Sequence, residues 1–292
     1  MAAPEGAAIQ LRLLAGVFRI VLSGRADELK PFYPVLGGCE EPGGAWAVME
    51  PVLRRNVTEL QDALAVAPQT NEPGRCVALF VGLSSLVADG LHPEVDLREL
   101  GASAGLNLLL PHVRITGDNW SVGPPGSPLR FERPVEGDFA PQPFSIATAA
   151  GCDVAPLDPV SSDDALRLRS FVWPFHLHRH ARLDAALRLA GVHGPQVFRA
   201  SADAWIRDAL TAPHPVVWHS ITRQYWPPEV VARVERALAE YGADRPLGRV
   251  ALEYDRPGKV PVLSVDHWPG DGTRRTQVVA TVHFHGVPVR ML

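Results

Sequence analysis

The sequence predicts an α/β protein, with a Rossmann-like, mainly parallel sheet ending in a C-terminal antiparallel hairpin and a helical N-terminal cap in front. Up to about residue 90 the apolar residues recur at helical spacing and no alternating stretch interrupts them. From Val95 onward, short apolar runs alternate with helical stretches, as in βα units wound around a parallel sheet. Near the end, two alternating segments flank Gly270-Asp271-Gly272, a hairpin signal. The expected division is a cap over residues 1–90 and a sheet domain over 91–292, with an insertion at about 112–143.

In order, Ala8–Leu22 carries Ile9, Leu11, Leu14, Val17, Phe18 and Val21 on one helical face. A Gly/Pro-rich break at Gly37–Gly44 separates it from one or two helices over Trp46–Val66 and another over Gly74–Leu86. Val95–Leu100 reads as the first strand and Ala104–Leu110 as a short helix stopped near Pro111. The Gly- and Pro-rich residues 112–143 read as an inserted loop or hairpin, and Ser145–Ala150 as the second strand. Asp163 and Asp164 are expected to cap a helix leading towards Trp173, with another helix over His176–Ala190. Three strands follow at Gln196–Arg199, Pro215–Trp218 and Arg249–Glu253, with a helix at Glu229–Tyr241. Pro261–Trp268 and Thr276–His285 form the hairpin, whose alternation sets His283 and His285 on one face.

Composition narrows the function classes. A chain of 292 residues with 46% hydrophobic and 21% charged residues can bury a large core. Its net charge of −4 without a basic run gives no footprint for nucleic acid or an anionic membrane. The start lacks a signal pattern and no apolar run reaches the roughly 18 residues of a span, so a cytoplasmic protein is expected. Cys39, Cys76 and Cys152 are odd in number and form no C-x-x-C, so neither a disulfide framework nor a cysteine metal site is expected. His176, His178 and His180, with Arg179 and Arg182, read as a solvated basic helix face in preference to a metal site. Lysine occurs only at Lys30 and Lys259, and Tyr254 lies five residues before Lys259. The Tyr-x-x-x-Lys pair of a short-chain dehydrogenase is therefore missing.

Most of the chemistry sits in Glu99-Leu-Gly-Ala-Ser-Ala-Gly-Leu-Asn107. Gly101-Ala102-Ser103-Ala104-Gly105 fits G-x-S-x-G, the nucleophile elbow of a serine hydrolase, with Asp255 or Asp266 and then His283 or His285 as partners. Against that stand the helical texture before Val95 and the lack of an upstream His-Gly oxyanion segment. The other reading is an S-adenosylmethionine (SAM) site. Small residues in the loop after the first strand let backbone approach a cofactor, and Glu99 meets its cationic end. Asp153, after the second strand, is expected to accept two ribose hydroxyls, and Asp203, after the third, to meet the adenine edge. His219, at the end of a later strand, is a candidate base because imidazole as a class titrates near neutrality; Tyr225 is a weaker candidate from the same loop.

The stretch Glu99–Asn107 resembles the signature of a bacterial family of unknown function. So do Gln69-Thr-Asn-Glu72 with Gly74-Arg75, Gly151-Cys-Asp153, Trp173-Pro174, His219-Ser220 and His283-x-His285-Gly286. That family is similar to class I SAM-dependent methyltransferases, and the resemblance runs from about residue 10 to the C-terminus. It implies a methyltransferase-type sheet, with SAM held by Glu99, Gly101, Ser103, Gly105, Asn107, Asp153 and Asp203 and a methyl group passed to a small molecule. It also implies Asn71, Glu72 and Arg75 as a lid or substrate-orienting group, where the residues alone also read as a helix N-terminus. Ser103 stands where the methyltransferase pattern has a glycine, and a long insertion separates the first two strands. A ligand-sensing protein of the same fold without catalysis is the remaining alternative.

Overall fold

The computed structural model describes residues 8–255 and 260–292; Lys259 lies outside them. Helices α1 (Ile9–Leu22), α2 (Ala45–Arg55), α3 (Val57–Ala65) and α4 (Arg75–Ala88) precede strand β1 (Glu94–Leu100). Small strands β2 (Arg114–Thr116), β3 (Ser121–Val122), β4 (Arg130–Glu132) and β5 (Val135–Glu136) come before β6 (Ser145–Asp153). Helices α5 (Ser162–Ser170) and α6 (Leu177–His193) lead to β7 (Val197–Arg199), α7 (Ala202–Ala209) to β8 (Pro215–Ser220), and α8 (Pro228–Gly242) to β9 (Pro246–Tyr254). Strands β10 (Pro261–Pro269), β11 (Arg275–Val282) and β12 (Val289–Met291) follow.

The chain forms two compact units. One takes the described residues up to Thr70 together with Asp158–Leu187; the other takes Asn71–Leu157 and Arg188–Leu292. The sheet unit thus begins before residue 90 and includes α4, while residues 158–187 join the N-terminal helices.

In the helical unit the apolar face of α1 buries Val17, Phe18, Ile20 and Val21 with Leu29, Val52 and Leu60. Gly16 lets α1 and α3 touch, since a Cβ there would lie 2.8 Å from the Ala63 Cβ. The cap of α5 is the Ser161 hydroxyl, which accepts from the Asp164 N–H. Asp163 and Asp164 instead occupy the first turn, where the helix dipole favours acids. The basic stretch at the start of α6 is not a solvated face: Arg179 and His180 are both buried. His180 packs edge-on against Phe18, and burial lowers its pKa.

The sheet unit carries nine strands in the order β5-β12-β11-β10-β9-β8-β1-β6-β7. Strands β7, β6, β1, β8 and β9 run parallel, whereas β9, β10, β11 and β12 form an antiparallel meander. β8 is buried along its whole length, as a central parallel strand with both faces covered must be. The hairpin closes where the Gly-Asp-Gly turn predicts. The insertion is a small sheet of order β3-β2-β4, with β5 passing to the edge of the main sheet beside β12. The short helix after β1 is a 3-10 turn over Leu106–His112 containing Pro111. His283 and His285 lie beyond the end of β11 in a turn, so strand alternation does not govern them. Among the described residues no helix is long and apolar enough to cross a membrane.

Candidate functional site

β1 lies between β6 and β8, so the chain winds outward from it in both directions. In open parallel sheets a cleft forms at the carboxyl ends of the strands where the order reverses. The residues following β1 therefore occupy the place where such folds take ligands.

That loop is held by its own N–H groups. Gly101 and Ala102 both donate to the Cys152 carbonyl at 2.9 Å, and Ser103 donates to Asp153 Oδ2 at 2.8 Å. Ala104 and Leu106 both donate to Asn71 Oδ1 at 3.1 Å, and Gly105 donates to the Ala102 carbonyl at 2.8 Å. Every N–H from residue 101 to 106 thus has a partner in the protein. Gly101 and Gly105 have positive φ, as does Ser103 at 53°. A side chain at Gly101 would collide with Thr222, whose Oγ1 lies 2.3 Å from an ideal Cβ. The loop is therefore no anion cradle of the kind that free N–H groups build.

Acceptors remain. Glu99 Oε2, Asn107 Oδ1, Ser103 Oγ and Asp203 Oδ1, and on the donor side the Trp218 indole Nε1, are buried without a hydrogen-bond partner among the described residues. Glu99 is 1% exposed, and its other oxygen receives only a long 3.4 Å contact from Asn107 Nδ2. Burial pushes its pKa up to about 8; Asn107, the Trp218 indole and the Arg75 charge favour the anion, and the nearby Asp153 opposes it. At pH 7 a carboxyl with that pKa is mostly protonated. Asp153 spends one oxygen on Ser103 N–H and the other on Ala155 N–H at 2.9 Å. A carboxylate has about four acceptor positions, so two stay open.

At the neighbouring strand end, buried His219 has Nδ1 2.8 Å from Glu253 Oε1. That oxygen also accepts the N–H groups of Thr222 and Arg223 at 3.2 Å. A carboxylate oxygen that already accepts two backbone N–H groups accepts from His219 as well, so Nδ1 is the donor in this pair. Arg75 Nη1 donates to the Ser220 carbonyl at 3.2 Å, tying the start of α4 to the end of β8. Buried Glu72 accepts from Gly74 N–H, and its Oε2 lies 3.7 Å from His285 Nδ1. Gly74 and Gly286 let these two turns touch, since a Cβ on Gly74 would stand 2.4 Å from the His285 carbonyl oxygen.

The fold thus gathers Asn71, Glu99, Ser103, Asn107 and Asp153 around one loop, and joins Arg75 and His219 through the end of β8. Asp203 follows β7, in the first turn of α7 with Arg233 Nε 2.6 Å away, and its charge acts with those of Asp153 and Glu99 on the Cys152 thiol at the end of β6. The Ser201 hydroxyl, then Arg233, hold its pKa below the usual range. Tyr225 is 65% exposed in a turn after β8. Asp266, named as a triad acid, is buried between Arg249 and Arg274. Sequence reasoning missed Glu253; the rule that drew attention to acids at strand ends applies equally to it, near the end of β9. Among the described residues no group of three His, Cys, Asp or Glu is placed to hold a metal.

The chain matches a family model described as "Uncharacterized protein conserved in bacteria (DUF2332)" over residues 1–291. No curated protein and no solved structure matches it.

Proposed function

The chain belongs to that bacterial family, and we propose that it binds S-adenosylmethionine at the carboxyl ends of β1, β6 and β8 and methylates a small molecule. The observation that carries this reading is the set of buried acceptors, Glu99 Oε2, Asn107 Oδ1 and Ser103 Oγ, beside a loop with no free N–H. Such a set suits a ligand that brings N–H donors and positive charge, and leaving it unmatched costs free energy. The strand order β7-β6-β1-β8-β9 adds support, since doubly wound nucleotide-binding sheets reverse at the first strand in the same way.

In this reading Glu99 and Asn107 hold the ammonium end and the Arg75 guanidinium faces the carboxylate. The open acceptor positions of Asp153 take the ribose hydroxyls. The bound cofactor supplies an electrophilic methyl group. His219 Nε2 takes the proton from an acceptor hydroxyl or amine, while Glu253 holds the imidazole in that tautomer and favours the imidazolium that results. Holding the acceptor in line does the rest. At a hundred times its dissociation constant SAM is expected to stabilise the protein by about 2.7 kcal/mol in thermal or chemical unfolding. No stabilisation at millimolar SAM contradicts the reading. Binding without turnover on any acceptor would leave a sensor of the same fold.

One observation favours the hydrolase: Ser103 has the positive φ that a nucleophile elbow shares. Its hydroxyl, however, has no imidazole partner among the described residues. Labelling by a serine-reactive phosphonate that is lost in Ser103→Ala would decide for the elbow.

A further inference from the structure

The helical unit contains a concave site of its own, independent of the cofactor reading. A pocket of about 150 Å³ opens between α1, the turn at Phe32–Tyr33, the start of α2 and the segment Ser170–Phe175 that follows α5. Aromatic rings dominate its wall: Phe18, Phe32, Tyr33, Phe171, Trp173 and Phe175 all line it. Phe18 and Tyr33 are stacked at 5.0 Å. Trp173 and Phe175, 40% and 56% exposed, leave large apolar surface at the wall.

None of the lining side chains carries a charge at neutral pH. Burial lifts the Tyr33 phenol to about 12, which keeps it neutral and a donor. Ser170 already spends its hydroxyl on the Arg167 carbonyl at 2.7 Å. Among the described residues nothing pairs with the Tyr33 hydroxyl. A charged ligand would find no counter-charge, whereas an apolar pocket of this volume has room for a benzene-sized group. We propose that this pocket binds a small neutral molecule built on one aromatic ring, with a hydroxyl or carbonyl that pairs with the Tyr33 hydroxyl. The ring gains dispersion contacts along the aromatic wall, and the single polar group fixes its orientation.

The methionines provide the readout, because Met49 lines the pocket while Met291 lies in β12 of the other unit. The full chain, labelled with ¹³C at the methionine methyls, is titrated with p-cresol. Met49, assigned with Met49→Leu, is expected to show a saturating ring-current shift with a Kd on the order of 1 mM or below, and Met291 to stay in place. Tyr33→Phe should weaken p-cresol roughly three- to tenfold, the worth of one hydrogen bond. Ala45→Phe should fill the pocket and abolish the p-cresol-induced Met49 shift, with unchanged far-UV circular dichroism and a single sharp Met49 signal reporting an intact helical unit. Benzoate at pH 8 should produce no shift. A Met49 signal that does not saturate, equal shifts at Met49 and Met291, or equal binding of benzoate would each overturn the proposal.

Discussion

Two carboxyl groups are buried to the same degree in one sheet and treated in opposite ways. Asp266 on β10, 1% exposed, receives Arg249 Nε at 2.6 Å, Arg274 Nε at 2.9 Å and the Thr276 hydroxyl. Burial alone would push its pKa up, but the two guanidiniums and the hydroxyl outweigh it and hold the group below the usual carboxylate range. Glu99 on β1, equally buried, has one long contact and a pKa of about 8. Asp266 is a structural anion completed from within. Glu99 is a carboxyl for which the Asn107 and Trp218 side chains and the Arg75 charge do not outweigh burial, at the end of a parallel strand.

The largest expected effect is on the structural member of this pair. Asp266→Asn leaves the buried Arg249 with Glu235 alone, 2.8 Å from Nη1, and should lower the unfolding free energy by about 3 kcal/mol in urea titration. If it costs no more than a surface substitution, the cluster is not structural. Glu99→Gln should do the reverse of damage: the folded ligand-free protein survives, while the roughly 2.7 kcal/mol of SAM stabilisation disappears. Retained stabilisation by SAM in that variant would separate Glu99 from the site. Asn71→Ala removes the acceptor shared by Ala104 and Leu106 and should cost about 1–3 kcal/mol. A cost near zero would mean that the loop does not depend on Asn71.

The two groups also predict opposite pH slopes. The folded pKa of Glu99 is raised, so the folded state binds the extra proton. Its contribution is fully present below about 4.5 and declines as pH rises to about 8. The folded pKa of Asp266 is lowered, so its contribution holds above about 3.8 and is lost as pH falls below that value. Glu99→Gln should flatten the decline in stability between about pH 4.5 and 8 and leave the limb below about 3.8 unchanged; an unchanged slope between 4.5 and 8 would count against the raised pKa.

The sheet was legible because apolar runs at Val95, Pro215 and Arg249 are bounded by turn residues, and the hairpin because of its glycine turn. Helix α7 escaped because two turns give too short a period, although Ser201, Asp203 and the spacing of Trp205, Ile206 and Ala209 carry a helix signature. In the site, the glycines and Glu99 were visible as residue types at a strand end. What the loop does with its N–H groups was not, because their partners, Asn71, Cys152 and Asp153, lie between 33 and 51 residues away in sequence. The burial of Arg179 and His180 was invisible for a similar reason: a basic run reads as solvated until a tertiary neighbour such as Phe18 covers it.

Under the proposed function Glu99 stays protonated until a cationic ligand reaches it, and calorimetric titration detects that proton. SAM titrated into the wild-type chain at pH 7, in two buffers of different ionisation enthalpy, should release close to one proton per ligand bound. Affinity should rise by up to about tenfold per pH unit below 8, and Glu99→Gln should show neither effect. Tight SAM binding without proton release, or equal binding by Glu99→Gln, would contradict the account.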